Sequence, residues 1–354
     1  TIFAGTVPNN GRWSIADFNG TIIKNNSLSS PNIPYDSENS WGDLEVSAQT
    51  IRAFGNFLVA LDVTNPPGLT AGRYSRMVKC SASSPPNSLP SWDETDLGLD
   101  AGEIELAETS EPVIDCLPMG DLNVIYKYNS CYGMQYIGPP FIFRFFTMFK
   151  DLGVLGPNCV VEWEGKHIVL TNGDIVMHDG QQVQSLLDGG LRQWLFANID
   201  LEFARNAFVT KHVAQNEIWF CIPTRNNRFA STAIIWNWRT NTTSLRELPH
   251  VGTAASIFAL GNPDLFNPIQ PAMVMAVGPN ARGGEYGHLF HPDFNGVPNP
   301  AIMVADVLQT NDPTPINAFL ERRSLPYVGQ DQQGNPIADL KSIKRITRVY
   351  PKVE

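Results

Sequence analysis

A strand, a turn and a second strand recur five times along this sequence, and the repeat limits the folds open to the chain. The first strands are predicted at 57–61, 122–127, 167–170, 217–222 and 272–277. Their partner strands are predicted at 74–80, 131–137, 174–178, 233–238 and 286–291. Residues 13–24 (WSIADFNGTIIK) are a candidate sixth copy at the start of the chain. A chain built this way is mostly β-structure.

The spacing of the copies favours a β-propeller. A turn residue precedes four of the first strands, at Gly55, Gly120, Gly165 and Asn216, and the intervals are 65, 45 and 51 residues. Repeats of about 40–50 residues with several strands each are typical of propeller blades. A lone hairpin cannot bury its apolar face, so the units must pack against each other. We predict five or six blades, with six favoured, and a β-sandwich is the alternative.

Length and composition are consistent with one domain over residues 1–354 that has long inter-blade loops and little helix. The strands at 338–354 then either complete the last blade or form an attachment extension. One helix is predicted at 190–198, where Leu191, Trp194 and Leu195 share a face. Charged residues make up 17% of the chain, below the usual value of about 25%. A surface with so little charge suits a subunit that is covered in an assembly.

No catalytic residue, cofactor site or metal site is predicted. The nucleophile motif G-x-S-x-G does not occur in the sequence, and the six histidines show no metal-ligand spacing. A glycosidase would need a carboxylate pair, for which the possible members are Asp17, Asp62, Asp115, Asp121 and Asp174. The five cysteines form no C-x-x-C pair and are predicted to be buried and reduced. No run of about 18 apolar residues is present, so no membrane partner is expected.

An ordered series of segments in the middle of the chain carries a resemblance to a known family. The segments are 115–127 (DCLPMGDLNVIYK), 129–141 (NSCYGMQYIGPPF), 153–157 (GVLGP), 160–180 (VVEWEGKHIVLTNGDIVMHDG), 216–220 (NEIWF) and 235–239 (IWNWR). In this order they resemble the tail hub, nozzle or packaged-DNA stabilisation proteins of short-tailed bacteriophages. The resemblance covers roughly residues 90–250 and is weaker toward the end of the chain.

The resemblance implies a virion structural protein without enzymatic activity, assembled in the bacterial host cytoplasm as part of the tail. Its expected partners are further copies of itself in a homohexameric ring, the portal and adaptor proteins, tail fibres or spikes, and double-stranded DNA that passes through without specific binding. Such rings extend the DNA channel and retain the packaged genome. The alternative is a carbohydrate-binding or glycan-processing β-propeller.

The net charge of −10 disfavours a protein that grips phosphates but suits a channel wall that repels them. Two acidic runs, at 93–96 and 100–105, are predicted to lie in a long loop between blades. The candidate channel-lining residues are Asp93, Glu94, Asp96, Asp100, Glu103 and Glu105. The alternative is that both runs are ordinary solvated surface.

Overall fold

The computed structural model of the protein describes residues 13–26, 33–34, 44, 46–66, 68–85, 90–224, 227–260, 270–277, 288–290, 327–330 and 336–339. The chain divides into two compact units, residues 1–311 and residues 312–354. In the described residues, each unit consists mostly of β-strands. The prediction of an all-β fold class with little helix is therefore confirmed.

The first unit begins with a small antiparallel sheet in the order β1-β2-β3. Its strands are β1 (Trp13–Phe18), β2 (Thr21–Asn26) and β3 (Ile33–Pro34). The turn between β1 and β2 consists of Asn19 and Gly20, and both residues have positive φ angles. The candidate sixth copy is therefore a hairpin, as the sequence predicts.

Four blades follow, each with four strands that are hydrogen-bonded in chain order. Blade 1 contains β4 (Ser47–Phe54), β5 (Phe57–Thr64), β6 (Arg73–Cys80) and β7 (Gly102–Glu105). Blade 2 contains β8 (Val113–Met119), β9 (Leu122–Lys127), β10 (Cys131–Gly138) and β11 (Ile142–Phe149). Blade 3 contains β12 (Val160–Trp163), β13 (Lys166–Leu170), β14 (Ile175–His178) and β15 (Val183–Ser185).

Blade 4 differs from the others because its last strand continues into a further part of the same sheet. It contains β16 (Phe208–His212), β17 (Glu217–Ile222), β18 (Ala230–Asn237) and the 19-residue β19 (Thr242–Leu260). The first part of β19 pairs with β18, and the second part pairs with β20 (Gln270–Val277), which pairs with β21 (His288–Phe290). Gly252 is the residue at which the pairing changes from one neighbour to the other.

All five predicted strand pairs form antiparallel hairpins, and they are the second and third strands of successive units: β5–β6, β9–β10, β13–β14, β17–β18 and β20–β21. The first strands of consecutive blades contact each other, β4 with β8, β8 with β12 and β12 with β16. The four blades are therefore arranged like those of a β-propeller.

The blades pack through apolar layers. The largest layer joins blades 2, 3 and 4, and its fully buried side chains include Tyr126, Ile168 and Phe220. A second layer joins the first sheet to blade 1 through Phe18, Ile23 and Ile51. Strands β5, β9 and β17 are buried along almost their whole length, so both of their faces are covered, and this explains their nearly continuous apolar patterns.

The connection between blades 3 and 4 contains the helix that the sequence predicts. Helix α1 (Gly189–Asn198) starts one residue earlier than expected, and the side chain of Asp188 accepts a hydrogen bond from the Leu191 backbone N–H. Two single-turn 3-10 helices, Ala204–Asn206 and Val213–Gln215, flank β16.

The second unit contains one described hairpin, β22 (Tyr327–Gln330) paired with β23 (Pro336–Asp339). The predicted C-terminal strands at 338–354 overlap β23 at residues 338–339, and the remainder lies outside the described residues. The attachment role of this segment stays a prediction.

Candidate functional site

The predicted acidic runs lie within blade 1, not between blades as the sequence led us to expect. The long loop joins the third strand of the blade to the fourth, and Glu103 and Glu105 lie on β7 itself. Proline-rich loop composition marks an irregular segment but does not distinguish a connection within a sheet from one between sheets, and this explains the error. The loop residues 91–100 are called the acidic lobe below.

A buried lysine holds the acidic lobe against its blade. The Lys79 side chain on β6 is fully buried, and its Nζ forms ion pairs with Glu94 and, at 2.9 Å, with Glu103. A buried ammonium is stable only when it is paired, so these two carboxylates balance Lys79 rather than facing open solvent. Sequence reasoning missed this role, because a lysine near the end of a strand resembles an ordinary polar strand end.

The other four acids have local partners. Glu105 pairs with Arg76, whose Nε lies 2.9 Å from Oε1. Asp93 accepts hydrogen bonds from the side chain and backbone of Thr95, which lower the pKa of the Asp93 carboxyl. Asp96 accepts from the Gly98 N–H and Asp100 from the Ser83 N–H. Six carboxylates thus share two cations, Lys79 and Arg76, and the region keeps a negative balance.

The acids lie at the outer edge of the blade. In the sheet order β4-β5-β6-β7, β7 is one edge strand, whereas β4, at the opposite edge, contacts the first strand β8 of the next blade. The acidic lobe also exposes two apolar side chains, Leu97 and Leu99, and Leu97 is 99% accessible. Acidic and apolar groups therefore share one projecting loop.

The corresponding connection in blade 2 is apolar instead of acidic. The hairpin between β10 and β11 exposes Tyr136, Ile137 and Phe141, the last with 77% of its surface accessible. Phe57 from blade 1 packs against Tyr136 and Phe143 with ring centroids 5.6 and 4.9 Å away. Residues 136–144 are called the aromatic tip below.

An ion pair closes the seam between blades 1 and 2. Arg52 on β4 donates from Nε and Nη2 to the two carboxylate oxygens of Asp115 on β8, at 2.8 and 2.9 Å. Arg52 also donates to Oδ1 of Asn158 at 2.7 Å, and the Asn158 N–H donates to Asp115. Burial alone would lower the pKa of Arg52, but the charge and hydrogen bonding of Asp115 outweigh it and raise that pKa.

A chain of neutral groups closes the seam between blades 2 and 3. Tyr126 on β9 places its hydroxyl 2.8 Å from Nδ1 of His167 on β13 and 2.6 Å from Nε2 of His178 on β14. Nε2 of His167 lies 2.9 Å from the Pro118 carbonyl, and the Gly180 N–H donates to Nδ1 of His178. All three side chains are buried.

These contacts fix the tautomers. A carbonyl only accepts, so Nε2 of His167 carries the proton and its Nδ1 accepts from the Tyr126 hydroxyl. Nδ1 of His178 accepts from a backbone N–H, so its Nε2 donates to the Tyr126 oxygen. The chain of hydrogen bonds runs in one direction, and each histidine is neutral.

Burial lowers the pKa of both histidines, and the pKa of His178 falls to about 4 with a further contribution from His167. The nearby carboxylates Glu162 and Asp179 raise these pKa values less than burial lowers them. Burial also raises the pKa of the Tyr126 hydroxyl well above its ordinary value. The network is neutral over the physiological pH range and serves packing between blades.

A second buried lysine holds the connection between blades 1 and 2 against blade 2. The buried Lys127 at the end of β9 donates to the carbonyls of Leu106 and Thr109, at 2.6 and 3.1 Å, and to the Thr109 hydroxyl at 2.9 Å. Burial lowers the pKa of Lys127. These bonds fix the connection between β7 and β8.

Three of the five aspartates that the sequence suggests as members of a carboxylate pair form ion pairs with arginines. Asp62 pairs with Arg73, Asp115 with Arg52 and Asp174 with Arg192. Asp17 on β1 and Asp121 in a hairpin turn are exposed. Three of the five carboxylates thus have a structural partner.

The five cysteines are buried thiols that form no disulfide bond. Burial raises the pKa of the Cys116 and Cys131 thiols to about 12, so they are protonated at neutral pH. In the part of the chain that the structure describes, no group of three or more His, Cys, Asp or Glu side chains is placed to hold a metal ion. Among the same residues, no helix has the length and apolar character needed to cross a membrane.

Comparisons with known proteins identify no relative by sequence: no family model matches the chain, and no curated protein matches it. Among solved structures, Hsv2 of Kluyveromyces lactis is 11% identical, with 84% of this chain and 77% of that chain covered and a TM-score of 0.42. An apocarotenoid oxygenase of Synechocystis is 9% identical, with 76% and 66% covered and a TM-score of 0.41. Likeness at this level assigns no function.

Proposed function

We propose that this chain is a virion structural protein: the subunit of a homohexameric tail hub or nozzle ring of a short-tailed bacteriophage. The observation that carries the proposal is where the family-like segments fall. They occupy β8–β10, β12–β14 and β17–β18, which are consecutive strands of blades 2, 3 and 4. The resemblance therefore extends over the core strands of three blades and is not confined to one loop.

We further propose six blades. The sheet β1–β3 packs against blade 1 through Phe18 and Ile23, as one blade packs on the next. On the other side, Met273 and Met275 of β20 pack with Phe208 and Trp219 of blade 4. Counting the sheet β1–β3 as one incomplete blade, and the second part of β19 with β20 and β21 as another, gives six.

In this proposal the ring encloses a DNA conduit, and the edge strand β7 and the Asp93 end of the acidic lobe lie at its wall. The channel of such a ring lies between the subunits, so the outer edges of the subunits line it. The central axis of each propeller, around which the blades of one subunit pack, is a different place and does not form the channel. The edge strand β7 with Glu103 and Glu105 is such an outer edge. Screening limits repulsion to about 8–10 Å at physiological salt, so only acids at the wall would act on DNA.

The proposed partners are the portal and adaptor proteins on one side and tail fibres or spikes on the other. The proposed location is the virion tail, after assembly in the host cytoplasm. No catalytic step is part of the proposal, because the ring acts by holding and guiding DNA.

The ring is tested by mass and shape. Light scattering on the purified chain should give about six times 39.1 kDa, and averaged electron micrographs should show a sixfold ring with an open centre. A particle of one copy at high concentration, with no ring in the presence of tail fractions, would overturn the proposal.

The channel wall is tested by Asp93→Lys in phage particles. Asp93 is exposed and holds only its own turn, so the lysine leaves the ion pairs of Lys79 in place. The matched control is Asp179→Lys, an exposed aspartate that accepts from the Gln181 and Gln182 N–H groups in a similar turn.

Both variants should give tails with the normal copy number, and only Asp93→Lys should slow genome release or leave it incomplete. The unmodified protein should show no measurable affinity for duplex DNA at physiological salt. Normal release by Asp93→Lys, or tight duplex binding by the unmodified protein, would contradict a channel-wall role.

Carbohydrate binding is the second candidate, and one aromatic cluster favours it. Trp163 of blade 3 packs at 5.4 Å from Trp236 and at 6.2 Å from Trp238 of blade 4, and both Trp163 and Trp238 are partly exposed. Aromatic faces of this kind can stack on sugar rings. A glycan array distinguishes the candidates: binding that is lost in Trp238→Ala supports this second function, and no binding removes it.

A further inference from the structure

Two neighbouring loops carry the most exposed large apolar side chains of the described residues. Leu97 in the acidic lobe is 99% accessible, and Phe141 in the aromatic tip is 77% accessible. Each loop joins the third strand of its blade to the fourth, in blade 1 and blade 2 respectively. Exposed apolar groups that are clustered rather than scattered mark surfaces that become covered.

The charges of the two loops are opposite. The aromatic tip follows an uncharged stretch, because no acidic or basic residue occurs from Tyr128 to Phe143. Its first charge is Arg144, which is exposed and lies over the Phe146 ring at 5.3 Å. In the acidic lobe, Leu97 follows Asp96 and lies close to Asp93 in the sequence. One surface is apolar and basic, and the other is apolar and acidic.

Both surfaces are held in place before any contact is made. Lys79 fixes the acidic lobe through Glu94, and Phe57 packs under the aromatic tip against Tyr136 and Phe143. Loops that are already ordered lose little conformational entropy on binding, so the contact can be favourable with a small area.

We propose that the aromatic tip of one copy docks on the acidic lobe of a second copy, with Phe141 against Leu97 and Arg144 facing Asp96. The surfaces differ, so the contact is heterologous, and heterologous contacts close into rings when the rotation allows it. Each copy then uses its acidic lobe toward one neighbour and its aromatic tip toward the other. This inference rests on the proposed ring and names the residues that build it.

Cross-linking tests the geometry. A chain with both Leu97→Cys and Phe141→Cys should form a ladder of covalent oligomers on mild oxidation, since the native cysteines are buried. A control chain with Leu97→Cys and Leu201→Cys, where Leu201 is also strongly exposed, should form dimers at most. Equal ladders in both chains, or dimers alone in the first, would overturn the contact.

Charge exchange tests the pairing independently. Arg144→Glu alone and Asp96→Arg alone should each weaken assembly about tenfold or more. The double variant should recover to within about threefold of the unmodified protein, while Asp179→Arg, the matched surface change, should have no effect. A double variant that is weaker than either single variant would contradict the pairing.

The outcomes separate the two proposals. Rings of normal mass in every variant would overturn this contact and leave the proposed function standing. An unmodified protein that stays a single copy would overturn both. Tips that cross-link to another tail protein, and not to a second copy, would assign the surface to that partner and overturn the contact proposed here.

Discussion

The seam between blades 1 and 2 and the seam between blades 2 and 3 join successive pairs of blades through different strands and with different chemistry. The first is closed by the charged pair of Arg52 and Asp115. The second is closed by the neutral chain of Tyr126, His167 and His178. The charged seam is stable only while both Arg52 and Asp115 are present. The neutral seam is stable only while neither histidine takes up a second proton. The two contacts between blades should therefore respond differently to mutation and to pH.

The charged seam should be the more sensitive to mutation. Asp115→Ala removes the two carboxylate acceptors of Arg52 and leaves the Asn158 and Cys116 N–H groups without their carboxylate oxygens. Breaking a buried ion pair by removing one partner typically costs about 3–5 kcal/mol. We expect a loss of that size in the free energy of unfolding, measured by denaturant titration.

The control for this prediction is Glu105→Ala, which breaks the exposed pair with Arg76. Exposed ion pairs contribute about 0–1 kcal/mol, so this variant should stay close to the unmodified protein. Similar losses in the two variants would mean that the seam is not held by its charge pair.

The neutral seam should be the more sensitive to pH. In an unfolded chain each histidine has a pKa of about 6.5, whereas the folded pKa of His178 is about 4. Above pH 6.5 both states are neutral and the stability is complete. Below pH 6.5 the histidine is protonated in the unfolded state but stays neutral in the folded state, so the free energy of unfolding falls as the pH falls toward 4.

The size of this effect follows from about 1.36 kcal/mol per pKa unit, which gives roughly 3 kcal/mol from His178 by pH 4. Unfolding free energies measured between pH 7 and pH 4.5 should show the decline, and His178→Gln should reduce its slope. The Asp115→Ala variant should keep the slope of the unmodified protein. A flat profile in the unmodified protein would show that the histidines are accessible to protons when folded.

The strand pattern of this chain could be predicted from the sequence because each strand follows local rules. Alternating or continuous apolar runs such as Glu217–Ile222, bounded by turn residues such as Asn216, define both the strand and its partner. The predicted pairs formed in every described copy. Strand ends shifted by a few residues where hydrogen bonding continued beyond the apolar run, as in Phe57–Thr64.

The polar contacts between blades could not be predicted in this way. Arg52, Asp115 and Asn158 are far apart in sequence, and Lys79 and Lys127 look like the polar ends of apolar strands. The acidic residues at 93–105 looked like one exposed patch, yet Lys79 binds two of them. Sequence spacing does not encode which side chains meet when blades pack, because that depends on the packing of whole sheets.

The smallest of the three effects concerns a single hydroxyl. Tyr126→Phe removes the group between the two histidines, leaving Nδ1 of His167 without a donor and the Nε2–H of His178 without an acceptor. A buried polar group that loses its partner typically costs about 1–3 kcal/mol, and the ring itself still fills its site. We expect a loss of about 2 kcal/mol, and Tyr128→Phe, which changes an exposed tyrosine two residues along the chain, should be nearly neutral. Measured at pH 7 by denaturant titration, equal stability of Tyr126→Phe and the unmodified protein would show that the histidines find other partners and that the seam is held by apolar packing alone.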